Sequence, residues 1–130
     1  MPSRPRDGEA GPTERSRTVS TTADTLAQRC ERLREPVTQL TAVSIGAAVS
    51  PTGIAEALVA AREVQAILED DSSGIEPGAF ADWLPTARST VRGMVEALER
   101  GDAAESYRLF TDQSTGFYRL ALGCAGFPGW

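Results

Sequence analysis

Histidine and lysine are both missing from the 130 residues of this chain, and cysteine occurs only twice. Without histidine there is no imidazole catalysis, no His metal ligand and no histidine pH switch. Two cysteines alone fall short of the roughly four N or S donors that a structural metal site uses, so no metal and no cofactor is expected. All 13 cationic residues are arginine, set against 18 acids, for a net charge of −5. That balance disfavours a nucleic-acid or anionic-membrane surface. No run approaches the ~18 apolar residues of a membrane span, and the N-terminus lacks the apolar centre of a secretory leader. The sequence therefore points to a cytoplasmic protein whose cysteines, Cys30 and Cys124, stay as thiols.

The length and the 41% hydrophobic content are those of one domain. Residues 1–19 carry Pro2, Pro5, Pro12, Gly8 and Gly11. Arg4, Arg6, Arg15 and Arg17 stand there against Asp7, Glu9 and Glu14, with Val19 the one sizeable apolar side chain after Met1. Such a segment buries too little to offset its ordering entropy and reads as a disordered arm. Residues 20–130 read as the folded domain.

From Thr22 onward the apolar spacing is helical. Leu26, Cys30, Leu33, Val37, Leu40 and Ser44 step by three and four and keep phase across Pro36, which predicts one helix over about 22–49, kinked near the proline. Ser50-Pro51 starts a second helix, with Ile54, Ala57, Leu58, Ala61, Val64 and Leu68 inward. Its acidic end, Glu69-Asp70-Asp71, opposes the helix dipole and should fray. A third helix runs from near Pro77 to Arg100. On it Arg88, Arg92, Glu96 and Arg100 step by four and are expected to pair along a solvated edge. Asp102 can cap a fourth, whose stripe Ala103, Tyr107, Phe110, Ser114, Phe117, Ala121 and Cys124 alternates fours and threes like a coiled-coil seam. The expected fold is all-α, an antiparallel up-down-up-down four-helix bundle. In it Cys30 and Cys124 lie toward the same end. A disulfide is geometrically conceivable there, although two buried thiols are the expectation.

The joint Glu99-Arg100-Gly101-Asp102-Ala103-Ala104 and the aromatic helix after it resemble the last two helices of the cytochrome c-prime and b-type four-helix cytochromes. The resemblance spans about thirty residues. The haem attachment pair and axial histidine of those proteins are absent, so it implies a bundle and no haem. The Ala-rich helical character is also faintly similar to small actinobacterial type VII secretion substrates, without their Trp-x-Gly turn, since Asp82-Trp83-Leu84 does not match it.

Candidate chemistry is sparse. A polar pocket inside the bundle would be walled by Trp83, Phe110 and Phe117, with Tyr107 and Ser114 on the same helical face. If the protein is an enzyme, Tyr107, Asp112 and Arg119 are the residues to carry catalysis, Asp112 as a general base if burial raised its pKa. Leu109, Gly116 and Leu120 form a narrow strip suited to self-association. Phe127 and Trp130, in the apolar Phe-Pro-Gly-Trp end, either fold back over the bundle near Cys124, the favoured reading, or dock onto another protein. The sequence thus favours a helical accessory, scaffold or docking protein with a protein partner or a second copy of itself. The alternative is a cofactor-independent enzyme or binding protein for a small apolar ligand of specialised metabolism.

Overall fold

The computed structural model describes residues 23–47 and 50–130. The expected arm, residues 20–22, and Ala48 and Val49 lie outside them. The described chain is all-helical: α1 Leu26–Ala47, α2 Pro51–Glu69, α3 Ala79–Glu99, α4 Ala103–Thr111 and α5 Tyr118–Gly123. Helix α1 continues through Pro36, whose ring is buried, and its inward stripe of Cys30, Leu33, Val37, Leu40 and Ser44 is the one the spacing predicts. Helix α2 begins with Pro51 at its first turn, where a missing N–H costs nothing. Gly53 lies against the last turn of α1, where a Cβ would come within 2.7 Å of Gly46 and Ala47 backbone atoms. Only glycine allows that close a return.

The α3–α4 joint is a Schellman ending. Gly101 is left-handed at φ 80. The Gly101 and Asp102 amides donate to the carbonyls of Leu98 and Ala97. Asp102 Oδ1 then accepts from the Glu105 amide at 3.0 Å and caps α4.

The continuous fourth helix is replaced by two short ones. After Thr111 the chain turns extended at Asp112. Its Oδ1 accepts the amides of Ser114 and Thr115 at 2.8 and 2.9 Å. A short carboxylate followed by Ser, Thr and Gly offers the backbone an alternative to the helical ladder, and here that local bonding wins over the apolar period. Helix α3 fixes the break from the other side: the Trp83 indole and the Thr90 hydroxyl both donate to the Thr115 carbonyl at 3.1 Å.

The core runs from Leu33, Leu40, Val64 and Leu68 through Phe80, Val91 and Met94 to Leu120. Helix α1 packs on α2 and α4, whereas α3 packs on α2, α4 and α5. Cys30 and Cys124 are fully buried and disulfide-bonded, against the expectation of thiols. The bond spans 94 residues of chain. Closing so long a loop restricts the unfolded chain and stabilises the fold by a few kcal/mol, about 2–4.

At Gly116 an added Cβ would lie 2.5 Å from the Phe110 carbonyl oxygen and 2.6 Å from that of Asp112. Gly116→Ala should therefore force the 112–117 turn apart and destabilise the protein by about 1–3 kcal/mol, a fall of roughly 5–15 °C in Tm. Calorimetry checks it. An unchanged Tm would mean that this turn is not closed as described.

Candidate functional site

A groove of about 430 Å3 opens along α1. Val37, Thr38 and Thr41 form one wall. Phe110 and Thr111 of α4, Phe117, and Tyr118 and Ala121 of α5 form the other, and Trp130 closes one end. Its floor is aromatic. Phe110 and Phe117 stack with centroids 5.3 Å apart. Trp83 meets Phe117 edge-on at 5.5 Å from behind.

The groove is less polar than its composition suggests. The Thr38, Thr41 and Thr111 hydroxyls donate to the carbonyls of Arg34, Val37 and Tyr107, each on its own helix at 2.7–2.8 Å. The Trp130 indole donates to the Cys30 carbonyl at 3.1 Å. Among the described residues no charged side chain lines the groove, and the Tyr118 phenol donates to none of them.

Apolar surface extends beyond the rim. Ile45 is 63% exposed and Tyr118 61%, with Tyr107 and Leu122 also exposed. Ile45 follows Thr38 and Thr41 at helical spacing, so it prolongs the α1 wall, as Leu122 prolongs the α5 wall beside Tyr118 and Ala121.

The residues singled out from sequence divide. Phe110, Phe117 and Trp130 line the groove, and Trp83 supports it. Ser114 is exposed in the 112–117 turn. Tyr107 borders a crevice with Ser44, Ala47 and Ser106 that is packed shut. Arg119 is exposed on α5. Neither the groove nor the crevice brings two of Tyr107, Asp112 and Arg119 together.

Asp112 is held below the usual carboxylate range by the backbone amides of Thr115 and Ser114, the opposite of the shift a general base needs. Arg108, four residues before it, pairs with Glu105 at 2.7 Å. The self-association strip does not form, because the break after Thr111 ends the helical phase it relied on. Leu120 is wholly buried, Gly116 is buried in the turn, and Leu109 packs over Gly93. Phe127 and Trp130 fold back against the core.

Sequence reasoning missed the polar cluster at the far end of α2. Arg29 is fully buried, with Nε on Asp24 Oδ2 at 2.8 Å and Nη2 on the Asp71 carbonyl at 2.7 Å. Arg32 bridges Asp24 and Asp70. Arg88 donates to the carbonyls of Leu68 and Asp70, and Arg92 reaches Glu69. Arg88 and Arg92 thus cross to α2, where their charge offsets the acidic C-terminus and satisfies its orphan carbonyls, whereas Arg100 pairs with Asp102 at 3.9 Å. Arg29 was legible in part, being three residues after Leu26 and four before Leu33 on the inward stripe.

Among the described residues no group of three or more His, Cys, Asp and Glu side chains is placed to hold a metal. No described helix is long and apolar enough to cross a membrane. No family model, curated protein or solved structure matches the chain.

Burial acts to raise the Asp24 pKa, but hydrogen bonds and charge from Arg29 and Arg32 outweigh it and leave the carboxyl below its usual value. A depressed folded pKa contributes stability above the unfolded value, and that stability is lost as the pH falls. Tm should therefore drop as the pH is lowered through the ordinary carboxylate range near about 4, and Asp24→Asn should make the drop shallower while lowering Tm at pH 7. Parallel pH profiles for the wild type and Asp24→Asn would contradict this role for Asp24.

Proposed function

We propose that the chain is a non-catalytic helical protein acting through protein–protein contacts, and that the groove between α1 and α5 receives an apolar segment of a partner protein. The observation that carries the reading is the character of that surface. It is aromatic-floored and without charged lining, its threonine and indole donors are already used, and exposed Ile45, Tyr118 and Leu122 extend it. A small-molecule site generally has several convergent polar groups to fix its ligand, and this one offers a single phenol. An apolar patch that continues past a cavity suits side chains on a larger surface.

In this reading α1, α2 and α3 are three members of an up-down-up-down bundle, and α4 with α5 is its broken fourth. The net charge of −5 disfavours a nucleic-acid partner. The bonded cysteine pair favours a setting with a disulfide-forming oxidant over the reducing cytoplasm expected from sequence. The alternative, a binding protein or cofactor-independent enzyme for a small apolar ligand, is favoured by one observation: about 430 Å3 is within the range of ligand pockets.

A photo-reactive phenylalanine analogue at Thr41, with a second at Val59 on the outer face of α2 as control, separates these readings. The expected result is a partner crosslinked from Thr41 and not from Val59. As a purified protein it should bind the wild type, with Kd weakened at least ~10-fold by Ala121→Glu and unchanged by Val59→Glu. A second copy of the chain as the crosslinked species would identify a homodimer. A small molecule retained in native mass spectrometry and released by Ala121→Glu would overturn the contact reading in favour of the ligand.

A further inference from the structure

The groove exists because α5 packs on α3 while α1 packs on α2 and α4, which leaves the α1–α5 boundary without close helix packing. Two links cross that boundary at one end. Cys30 of α1 is bonded to Cys124, directly after α5. The Trp130 indole donates to the carbonyl of the same Cys30 at 3.1 Å. The tail between them is a compact fold-back: the Phe127 amide donates to the Cys124 carbonyl and the Trp130 amide to the Phe127 carbonyl, both at 3.1 Å, with Gly126 and Gly129 left-handed. Trp130 faces the groove on one side of this tail. On the other side Phe127 and Pro128 line a separate opening beside Ala27 and Gln28. The tail is thus a wall shared by two openings, seated where the disulfide anchors it.

Helix α5 has only six residues and is held on α3 by buried Leu120 and by Gly123 against Phe80. Its start is tied to α4, where the Phe117 amide donates to the Phe110 carbonyl at 3.0 Å, and its far end runs into Cys124, bonded to α1. We propose that oxidation of Cys30 and Cys124 completes the groove, so that the protein takes its partner only in the disulfide form. The inference rests on the contact reading of the groove. In the forming step the two thiols lose two protons and two electrons and make one S–S bond. A disulfide-bearing oxidant accepts both pairs and leaves as two thiols. Before bonding, the tail lacks its anchor and Trp130 leaves the end of the groove. After bonding, both sulfurs are sealed from solvent.

The test compares the disulfide protein with Cys30→Ala/Cys124→Ala by NMR. The capped tripeptide acetyl-Leu-Phe-Leu-amide serves as the groove probe, and amide exchange reports on the tail. In the disulfide protein the probe should shift the Thr38, Thr41 and Ala121 amides and the Trp130 indole N–H. In the variant the probe should bind at least ~10-fold more weakly, and exchange should quicken at residues 118–130 while α1, α2 and α3 stay protected. Equal probe affinity in the two forms, or an equally protected Trp130 indole, overturns the proposal. So does loss of protection throughout α1, α2 and α3, because the bond would then hold the whole fold rather than the groove. If the probe binds neither form, the contact reading fails, and the exchange difference at residues 118–130 alone decides whether the disulfide seats the tail.

Discussion

The bond between Cys30 and Cys124 is the constraint on which this end of the molecule depends. It joins the first helix to the residue after the last, across 94 residues of chain. The Trp130 indole adds a hydrogen bond to the carbonyl of Cys30 itself. The covalent link is itself part of the core, and a groove with an aromatic floor remains along the boundary between α1 and α5. A domain of this size has a limited core, so one crosslink between its ends carries proportionately more of its stability.

A different problem is solved beside it, at the C-terminus of α2, which Arg29, the residue before Cys30, reaches. Glu69, Asp70 and Asp71 put negative charge where the helix dipole is already negative. Arg29 and Arg32 from α1 and Arg88 and Arg92 from α3 converge on that terminus, binding its carbonyls as well as its carboxylates. The fully buried Arg29 is tolerable because Asp24 and the Asp71 carbonyl accept from it inside the protein. The two features meet at the C-terminal tail, where Phe127 and Pro128 line an opening shared with Asp24 and Arg32.

Much of the helical framework was legible in the spacing of apolar residues. Cys30, Leu33, Val37 and Leu40 were on one stripe in sequence and are in the core, as are Ala57, Ala61, Val64 and Leu68. The fourth helix was misread because its fours and threes persist from Ala103 to Cys124, right through the segment that does not coil. The period records which side chains would face inward if the helix formed. It does not weigh the hydrogen bonds that Asp112 offers to Ser114 and Thr115 against the helical ladder. The site was half legible for the same reason. Phe110, Phe117 and Trp130 stand out by residue type, whereas Thr38 and Thr41 lie just off the apolar stripe and become walls only when α5 comes alongside. The cysteine pair had the right placement in an antiparallel bundle, and the thiol expectation came from the compartment rather than from geometry.

The disulfide clamps the two ends of the described fold covalently. With arginine as its only tryptic residue type, the chain gives a clean test in a digest of protein alkylated under denaturing, non-reducing conditions. Cleavage after Arg29, Arg32 and Arg119 isolates Cys30–Arg32 and Leu120–Trp130. The expected result is a single crosslinked species containing both peptides, separated by reduction into two thiol peptides. Recovery of both peptides already alkylated from the unreduced protein would contradict it.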